Sequence, residues 1–567
     1  MAPRSVLGGL CRENRLEPSH IAARPIARAL PLALATLAVP AAGVAHDTHH
    51  AGPAQLGKVD FAVSCSRDAQ PEFVRAVALL HHMTYPQARQ AFGEVIKIDP
   101  RCAMAHWGIA MTLFQPLWPT RPGPDDVQRG WDEVQKAKSL APPTERERLF
   151  IDAAEAFFLD PAAADYWARI GRWENAMQKA YAALPDDPEI TAFYALSHLA
   201  AATSSSSVKA NSDEAAALLL RVYAKNPDHP GAMHYLVHAN DVPGRENQSI
   251  AITRKYDEIA PDNPHALHMP THIYTRLGEW DASITGNERA ASAALRTRAG
   301  DHGQYVWDEF AHAEEYLIYA LLQKGDDNRA LEQLERLRKA APEIEPTFKL
   351  AFHVASTQAR YVLERHAWAE AIGIVPRELS NLAWDKFAWP EAIARFARGD
   401  GAARVDKLGI ARAEAEQLDA LEAKVLAANE QLFAHNVHVL KLELGAWIAH
   451  AERQEDSSVA LMRQAADIEV ATPKHAVTPG PTVPAYEQLG DLLTERKRPA
   501  EALAAYKRSL ELYPHRFNSL AGAARAARAT GNEALARSFY AELIKIADGS
   551  TRQSILSEAR QYTTRLK

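Results

Sequence analysis

Apolar, small and turn-forming residues recur along this chain at a fixed spacing. Pro227 and Pro261 are 34 residues apart, and Gly244 and Gly278 follow them at equal distances. Each copy has an apolar-patterned first helix, a glycine-centred turn and a second helix that ends before a proline. The pattern therefore predicts an array of helix pairs.

The same pattern recurs near the C-terminus with clear packing positions. Ala502 and Ala536 hold a small position, and Tyr506 and Tyr540 hold an aromatic position. A 34-residue period of this kind is typical of tetratricopeptide repeats (TPR), whose neighbouring pairs stack to bury one continuous core. No strand-period segment of useful length is present. We predict an all-α fold, a TPR-type superhelical solenoid of stacked antiparallel helix pairs.

The extent of the repeats sets the predicted domain boundaries. We expect a single solenoid over residues 59–546, followed by a C-terminal tail or helix over 547–567. The spacing drifts near 115–130, 200–212 and 298–310, and we expect insertions or longer loops there.

The first 45 residues have the composition of an export signal. Five arginines precede an apolar run from Ala29 to Ala45, which is short for a membrane span and contains two prolines. We predict cleavage after Ala45 and a periplasmic or secreted protein with no membrane span. Residues 46–58 include the sequence HDTHH and are expected to form a flexible tail.

The charge balance argues against one class of partner. The chain has a net charge of −7, and the first 45 residues carry five arginines against two glutamates. Their removal leaves a more acidic chain, so we expect no nucleic-acid partner.

Two cysteines remain after the predicted cleavage, an even number in an oxidising compartment. Cys65 and Cys102 each come immediately before the first helix of one of two neighbouring repeats. First helices of neighbouring repeats run parallel, so both residues are expected at the same end of the stack. We predict a disulfide between them.

Several segments also carry a narrower resemblance. These are SCSRDAQPEF, DPRCAMAHWGIAM, HPGAMHYLVHANDVP, HALHMPTHIYTRLGEW and KHAVTPGPTVPAYEQLGDLL. Together they resemble a family of exported bacterial TPR proteins, from about Val59 to about Tyr540. The resemblance implies the architecture and supplies no chemistry.

Histidines are concentrated in one part of the chain. Eight of the 23 lie between His229 and His312, where even scattering would place about three or four. The TPR resemblance implies that the second, fifth and ninth places of each first helix face the concave groove. The side chains at these places are therefore the candidates for ligand binding.

Five histidines hold such places in two consecutive repeats. His265, His268 and His272 hold all three places in one repeat, and His234 and His238 hold the fifth and ninth in the repeat before it. Histidines four residues apart on adjacent helices have the ligand geometry of helical metal sites. We predict that His234, His238, His268 and His272 bind a transition-metal ion (zinc, copper or iron), with His265 as the nearest additional ligand.

Other groove positions supply supporting groups. Asp241 and Glu315 are expected to ligate the ion or to orient an imidazole. The next repeats place His312, Tyr319 and His353 on the same side. We expect these five residues around the predicted site.

Pro270 stands between two of the predicted ligands. Inside a helix it would remove a hydrogen bond to Ala266 and kink the axis, at a cost of about 3 kcal/mol or more. Such a violation is expected at functional sites. Alternatively, Pro270 opens a shortened first helix, where proline costs nothing.

Three classes of function fit this sequence. The first is a metal-binding repeat protein, which includes a metalloenzyme that uses the groove as its cleft. The second is a metal-free scaffold that binds a peptide, a protein or a small molecule in the groove. The third, a purely structural adaptor, gives no account of the histidines. No HExxH, nucleophile elbow, phosphate-binding loop or dinucleotide fingerprint is present.

Overall fold

The computed structural model describes residues 55–162, 165–202, 205–300 and 302–564. The predicted signal peptide and residues 46–54 of the predicted tail lie outside these ranges. The last tail residues are packed, since the backbone N–H of Lys58 donates to the carbonyl of Asp228 at 2.8 Å. Among the described helices, none is long and apolar enough to cross a membrane.

Almost all regular structure in the described residues is α-helical. The helices are α1 Gln70–His81, α2 Tyr85–Ile98, α3 Ala103–Met111, α4 Pro124–Ser139, α5 Glu145–Phe158, α6 Tyr166–Ala183, α7 Pro188–Ala201, α8 Ser205–Lys225, α9 Pro230–Asn240, α10 Ile250–Thr253, α11 Tyr256–Ile259, α12 Pro264–His268, α13 Pro270–Leu277, α14 Trp280–Ala294, α15 Glu309–Gln323, α16 Asp327–Ala340, α17 Phe348–Leu363, α18 Trp368–Ala371, α19 Ala388–Arg404, α20 Leu408–Ala427, α21 Gln431–Ala451, α22 Glu455–Ala471, α23 Ala485–Glu495, α24 Pro499–Leu512, α25 Phe517–Ala529, α26 Glu533–Ile546 and α27 Gln553–Thr564. Short 3-10 helices span Ala341–Glu343 and Trp384–Lys386, and two strands are β1 Arg298–Ala299 and β2 Tyr305–Val306.

Consecutive long helices pack against each other across short turns, so each pair is antiparallel. The first helix of a pair also packs against the first helix of the next, for example α15 on α17, α17 on α19 and α19 on α21. This stacking confirms the predicted all-α, TPR-type solenoid. In addition α1 packs against α9 and α15 against α25, so distant repeats meet across the inner helix layer.

The C-terminal repeats show why the sequence keeps a small residue beside an aromatic one. Tyr506 is buried, and its ring lies against Gly490 and Gly522. A Cβ atom at either glycine would come within 2.6 Å of the ring. The close approach of these helices therefore requires the missing side chain.

Two of the expected insertions are structured. Helix α8 begins at Ser205 and packs between α7 and α9, so most of the serine-rich stretch 200–212 is helical rather than a loop. Tertiary packing overrides the weak helix propensity of its serines and asparagine. In 298–310, β1 and β2 form an antiparallel hairpin that the sequence pattern did not predict. At the C-terminus α27 provides a helix, which packs on α26.

Pro270 interrupts a first helix without reversing its direction. Helix α12 ends at His268 and α13 begins at Pro270, while Met269 between them keeps helical angles of φ −55° and ψ −40°. Pro270 therefore occupies the first position of α13, where its missing N–H costs little. The second interpretation holds, since the helix is divided at this point and Pro270 opens its second part.

Cys65 and Cys102 form a disulfide that joins the start of the first repeat to the start of the second. Cys102 comes directly before α3, and the two residues are separated by 37 positions in the sequence. Ser64, beside Cys65, is held by the buried carboxylate of Glu147 at 2.7 Å from its backbone N–H. This end of the solenoid is therefore fixed by both a covalent and a charged contact.

We expect the full chain, unfolded without reductant, to titrate one free thiol, that of Cys11. A chain that lacks residues 1–45 should titrate none. Because the bond closes a loop of this length, its reduction should lower the free energy of unfolding by about 3–4 kcal/mol. Three free thiols in the unreduced full chain would contradict the pairing.

Candidate functional site

Seven histidines lie together on the first helices of consecutive repeats. They are His234 and His238 on α9, His265 and His268 on α12, His272 on α13, His312 on α15 and His353 on α17. All except His238 are at most 1% exposed. The TPR register thus brings the predicted ligands into one buried cluster.

Three of these residues, His234, His238 and His265, form a group that we call triad 1. One nitrogen from each lies within 4.8 Å of the others. Nε2 of His234 is 3.2 Å from Nε2 of His238 and 3.1 Å from Nε2 of His265. Two adjacent helices therefore direct three imidazole nitrogens to one point.

A second group, His268, His272 and His312, is called triad 2. One nitrogen from each again lies within 4.8 Å of the others, and the Nε2 atoms of His268 and His272 are 3.0 Å apart. The rings of His268 and His312 have centroids 4.3 Å apart. The sequence predicted a single site, whereas the structure divides its ligands between two triads.

The two triads are neighbours in the cluster. The ring centroids of His238 and His272 are 6.0 Å apart, and those of His265 and His268 are 6.1 Å apart. The division follows the Nε2 atoms, because that of His265 lies against His234 on α9, whereas those of His268 and His272 lie against each other. Groups bound at the two triads would therefore lie side by side.

The outer nitrogens of triad 1 are fixed by hydrogen bonds to oxygen. Nδ1 of His234 lies 2.6 Å from the carbonyl oxygen of His81, and Nδ1 of His265 lies 2.7 Å from Oε1 of Glu309. Carbonyl and carboxylate oxygens only accept, so both Nδ1 atoms carry the hydrogen. In a neutral ring each Nε2 then carries a lone pair that points into the cluster.

Triad 2 has the same arrangement. Nδ1 of His272 lies 2.9 Å from Oδ2 of Asp241, and Nδ1 of His268 lies 2.7 Å from Oδ1 of Asn287. The amide nitrogen of Asn287 donates to the carbonyl of Ser283, which turns the amide oxygen towards His268. In neutral rings both Nε2 atoms therefore carry lone pairs as well.

His312 is oriented through a relay. His353 donates from Nδ1 to Glu315, so its Nε2 accepts, and that Nε2 lies 3.2 Å from Nδ1 of His312. Nε2 of His312 is buried and has no hydrogen-bond partner among the described residues. The third nitrogen of triad 2 is thus also an unpartnered lone pair.

These contacts leave facing lone pairs in both triads, and only in triad 1 can a neighbouring ring supply a hydrogen, from Nε2 of His238 to Nε2 of His234 at 3.2 Å. The His234–His265 pair and the His268–His272 pair each place two lone pairs about 3 Å apart with no hydrogen between them. A buried acceptor without a donor loses its hydration and gains nothing in return. A cation between the nitrogens would relieve the repulsion in both pairs.

Burial keeps most of these imidazoles neutral. It lowers the pKa of His234, His238, His268 and His312 well below the usual value, and neighbouring imidazoles lower it further. For His272, burial lowers the pKa to about 4 although the hydrogen bond to Asp241 acts in the opposite direction. Neutral imidazole is the form that binds metals.

The carboxylates behind the rings are ionised. Burial alone would raise the pKa of Asp241, but Lys474 and Arg276 hold it well below its usual range. His265 and Lys349 do the same for Glu309, whose Oε2 is 3.0 Å from the Lys349 ammonium group. Each triad therefore has a charged hydrogen-bond acceptor behind one of its rings.

The concave groove is filled at this point. Residues 472–484, which we call the covering segment, contact the cluster through Lys474, whose ammonium group lies 2.7 Å from Oδ2 of Asp241. The hydroxyl of Tyr316 donates to the carbonyl of Thr478 at 2.9 Å. The repeat register predicts histidines on an open groove surface, whereas in the structure they are enclosed.

Two further predicted residues lie outside the triads. Glu315 binds His353 and the guanidinium of Arg360, so it acts one layer behind His312. Tyr319 is not part of the cluster, because its hydroxyl accepts from Arg516 at 2.9 Å. Tyr319 lies on the predicted inner helix face, but Arg516 from the C-terminal repeats binds its hydroxyl there.

A third group of possible ligands, His81, Glu189 and His229, places a carboxylate between two imidazoles. His81 has Nε2 2.8 Å from Glu189 and Nδ1 3.0 Å from the hydroxyl of Tyr235. His229 accepts from the backbone of Ala232 through Nδ1, and its Nε2 lies 3.3 Å from Glu189. Nε2 of His229 and Oε1 of Glu189 have no hydrogen bond among the described residues, but here a carboxylate faces each imidazole, so the group contains no opposed imidazole lone pairs.

Sequence reasoning missed four residues of the site. Glu309 precedes His312 by three positions and shares its helix face, a signal that the sequence did contain. Asn287 comes from a second helix, Trp118 from a loop and Lys474 from the covering segment. Only the tertiary fold brings these three to the histidines.

A polar cavity of about 860 Å³ lies beside the cluster. Trp118 and Lys349 belong to its lining, and the ammonium group of Lys349 lies 3.9 Å from the Trp118 ring centroid. The other contacts of the Trp118 ring are with His265 at 5.1 Å and His312 at 5.5 Å between centroids. Trp118 therefore separates this cavity from both triads.

Comparison with known proteins adds little to this picture. No protein-family model matches the chain, and no curated protein sequence matches it. Among solved structures, a human IFIT1 dimer with m7Gppp-AAAA aligns over 82% of this chain and 95% of its own, with 15% identity and a TM-score of 0.37. The P58(IPK) TPR domain aligns over 88% and 99%, with 12% identity and a TM-score of 0.20. Likeness at this level carries no argument about ligand or activity.

Proposed function

We propose that triads 1 and 2 each bind one transition-metal ion, of zinc, copper or iron. The observation that carries the proposal is the pair of opposed Nε2 lone pairs, His234 with His265 and His268 with His272. Imidazole nitrogens bind zinc at about 2.0–2.1 Å, which puts two nitrogens of a tetrahedral site about 3.3 Å apart. The separations of 3.0 and 3.1 Å fit that geometry.

The groups behind the rings support the same proposal. Metal-binding histidines almost always donate their other N–H to a carboxylate, a backbone carbonyl or a similar acceptor. His234, His265, His268 and His272 all do so. Three neutral nitrogens leave a coordination position for water or a small molecule, as in catalytic zinc sites.

The metal-free alternative is a polar groove that binds a peptide. Its weakness is the burial of the cluster, because a peptide in the groove would have no contact with side chains that are at most 1% exposed. The Nε2 lone pairs of His265, His268 and His272 would also remain without a donor. The TPR-type solenoid itself is compatible with either role.

We further propose that the protein is exported. The disulfide between Cys65 and Cys102 supports this, since such bonds persist mainly in oxidising compartments. The apolar run that ends at Ala45 supports it as well. Fractionation of cells that produce the untagged full chain would test it, and a purely cytosolic protein would contradict it.

Untagged protein, purified without chelators, should contain two transition-metal ions per chain, one for each triad. Elemental analysis after extensive dialysis measures this ratio. X-ray absorption at the edge of the metal should report nitrogen neighbours at about 2.0–2.1 Å if the metal is zinc. A chain that stays metal-free after incubation with zinc, copper and iron would leave only the metal-free alternative.

A further inference from the structure

A cavity of about 280 Å³ lies between α17, α19, α21 and the covering segment. Its walls are largely apolar and include Phe352, Trp389, Ile393, Val439 and Leu440. Ligand pockets usually measure roughly 300–1,000 Å³, so this cavity has room for a small molecule. Exposed Val470 and Pro243 are at its rim.

Glu443 lines this apolar cavity and is itself only 1% exposed. Neither of its carboxyl oxygens has a hydrogen bond of normal geometry among the described residues, although the side-chain amide of Gln488 is close enough to interact with it. Burial raises the pKa of Glu443 well above its usual value, and the nearby acids Glu469 and Asp400 raise it further, although Gln488 has the opposite effect. A buried carboxyl group in such surroundings lacks the donors that normally offset its desolvation.

Three of the cations that line the cavity are already engaged, and a fourth, Lys209, is exposed. Arg276 and Lys474 both contact Asp241. Arg360 binds Glu315 and the carbonyl of Gly480. These three cations are held by other partners, and the charged groups that shift the pKa of Glu443 are acidic. The unmet need at this end of the cavity is for a hydrogen-bond donor that carries positive charge.

We propose that the cavity binds a small apolar amine whose ammonium group donates to the carboxylate of Glu443. The apolar part of the ligand would pack on Phe352 and Trp389, and the Trp389 ring face can also attract a cation. An alcohol supplies one neutral donor and no charge, and a carboxylate ligand supplies neither a donor nor a positive charge. The proposal does not require a metal at either triad.

Isothermal titration of the full chain with 2-phenylethylamine at neutral pH tests the proposal. We expect binding of the amine and weaker binding of 2-phenylethanol, with no detectable binding of phenylacetate. Glu443→Gln should weaken amine binding by about tenfold to a hundredfold, the range for loss of a charge-assisted hydrogen bond. Ile393→Trp, which fills the cavity, should abolish it.

Glu469→Gln is the matched control within the same cavity. Its oxygens already accept from the backbone of Ala485 at 3.1 Å and from the hydroxyl of Tyr513 at 3.3 Å, so this change should affect amine binding much less. The double variant His238→Ala/His272→Ala, which lacks one ligand of each triad, should bind the amine as the native chain does. Equal affinity for amine and alcohol, tighter binding of phenylacetate, or unchanged binding in Glu443→Gln would overturn the proposal.

Discussion

The double variant His238→Ala/His272→Ala is expected to lose both metal ions and keep its helix content. Each substitution removes one nitrogen from a triad, and the two that remain cannot complete the site. Removal of a direct ligand should weaken binding by more than the roughly 10–100-fold that follows loss of a group behind a ligand. Metal content after dialysis and far-ultraviolet circular dichroism measure the two outcomes.

Single substitutions distinguish metal binding at triad 1 from metal binding at triad 2. His238→Ala should release the ion of triad 1 and leave triad 2 loaded, and His272→Ala should do the reverse. His229→Ala is the matched control, since His229 is equally buried but lies outside both triads, with its Nε2 facing the Glu189 carboxylate at 3.3 Å. That control should keep both ions. Full metal content in the double variant, or its loss in the control, would contradict the assignment.

The helix pairs and the register of the histidines could be predicted because both depend on local spacing. A period of 34 residues fixes which face of each first helix turns inward, and a spacing of four places His234 with His238 and His268 with His272. These relations hold within one or two repeats. They do not depend on the overall curvature of the solenoid.

The division into two triads could not be predicted in this way. It depends on the carbonyl of His81, which reaches His234 because α1 packs against α9. It also depends on Asn287, which comes from a second helix, and on Trp118, which comes from a loop. The 34-residue period does not predict these contacts, because each joins residues whose relative positions the repeat pattern does not specify.

The same long-range contacts explain why the groove is filled. A regular TPR array leaves its inner helix face exposed, but here the covering segment and α1 both lie against that face. The segment contains four prolines, at 473, 479, 481 and 484, and so contributes little conformational entropy to the unfolded chain. The buried cluster is therefore assembled from three separate parts of the chain, and metal binding should stabilise the fold.

Arg360 joins the covering segment to the helices beneath it. This guanidinium is 1% exposed and donates to Glu315 at 3.1 Å and to the carbonyls of Gly480 and Pro481 at 2.6 Å each. Arg360→Met would free the segment and leave the buried Glu315 carboxylate without its cation. We expect the free energy of unfolding to fall by about 3–5 kcal/mol.

The same substitution should open the cluster. Release of the covering segment predicts faster proteolysis within 472–484 and faster transfer of metal to a chelator, both measurable on folded protein. Arg360→Lys keeps the charge but lacks the planar fork, so it should lie between the native chain and Arg360→Met. Arg365→Met is the control, because Arg365 pairs with the exposed Glu370 and such pairs contribute at most about 1 kcal/mol. If Arg360→Met matched that control in stability and in metal release, the covering segment would not be what encloses the histidines.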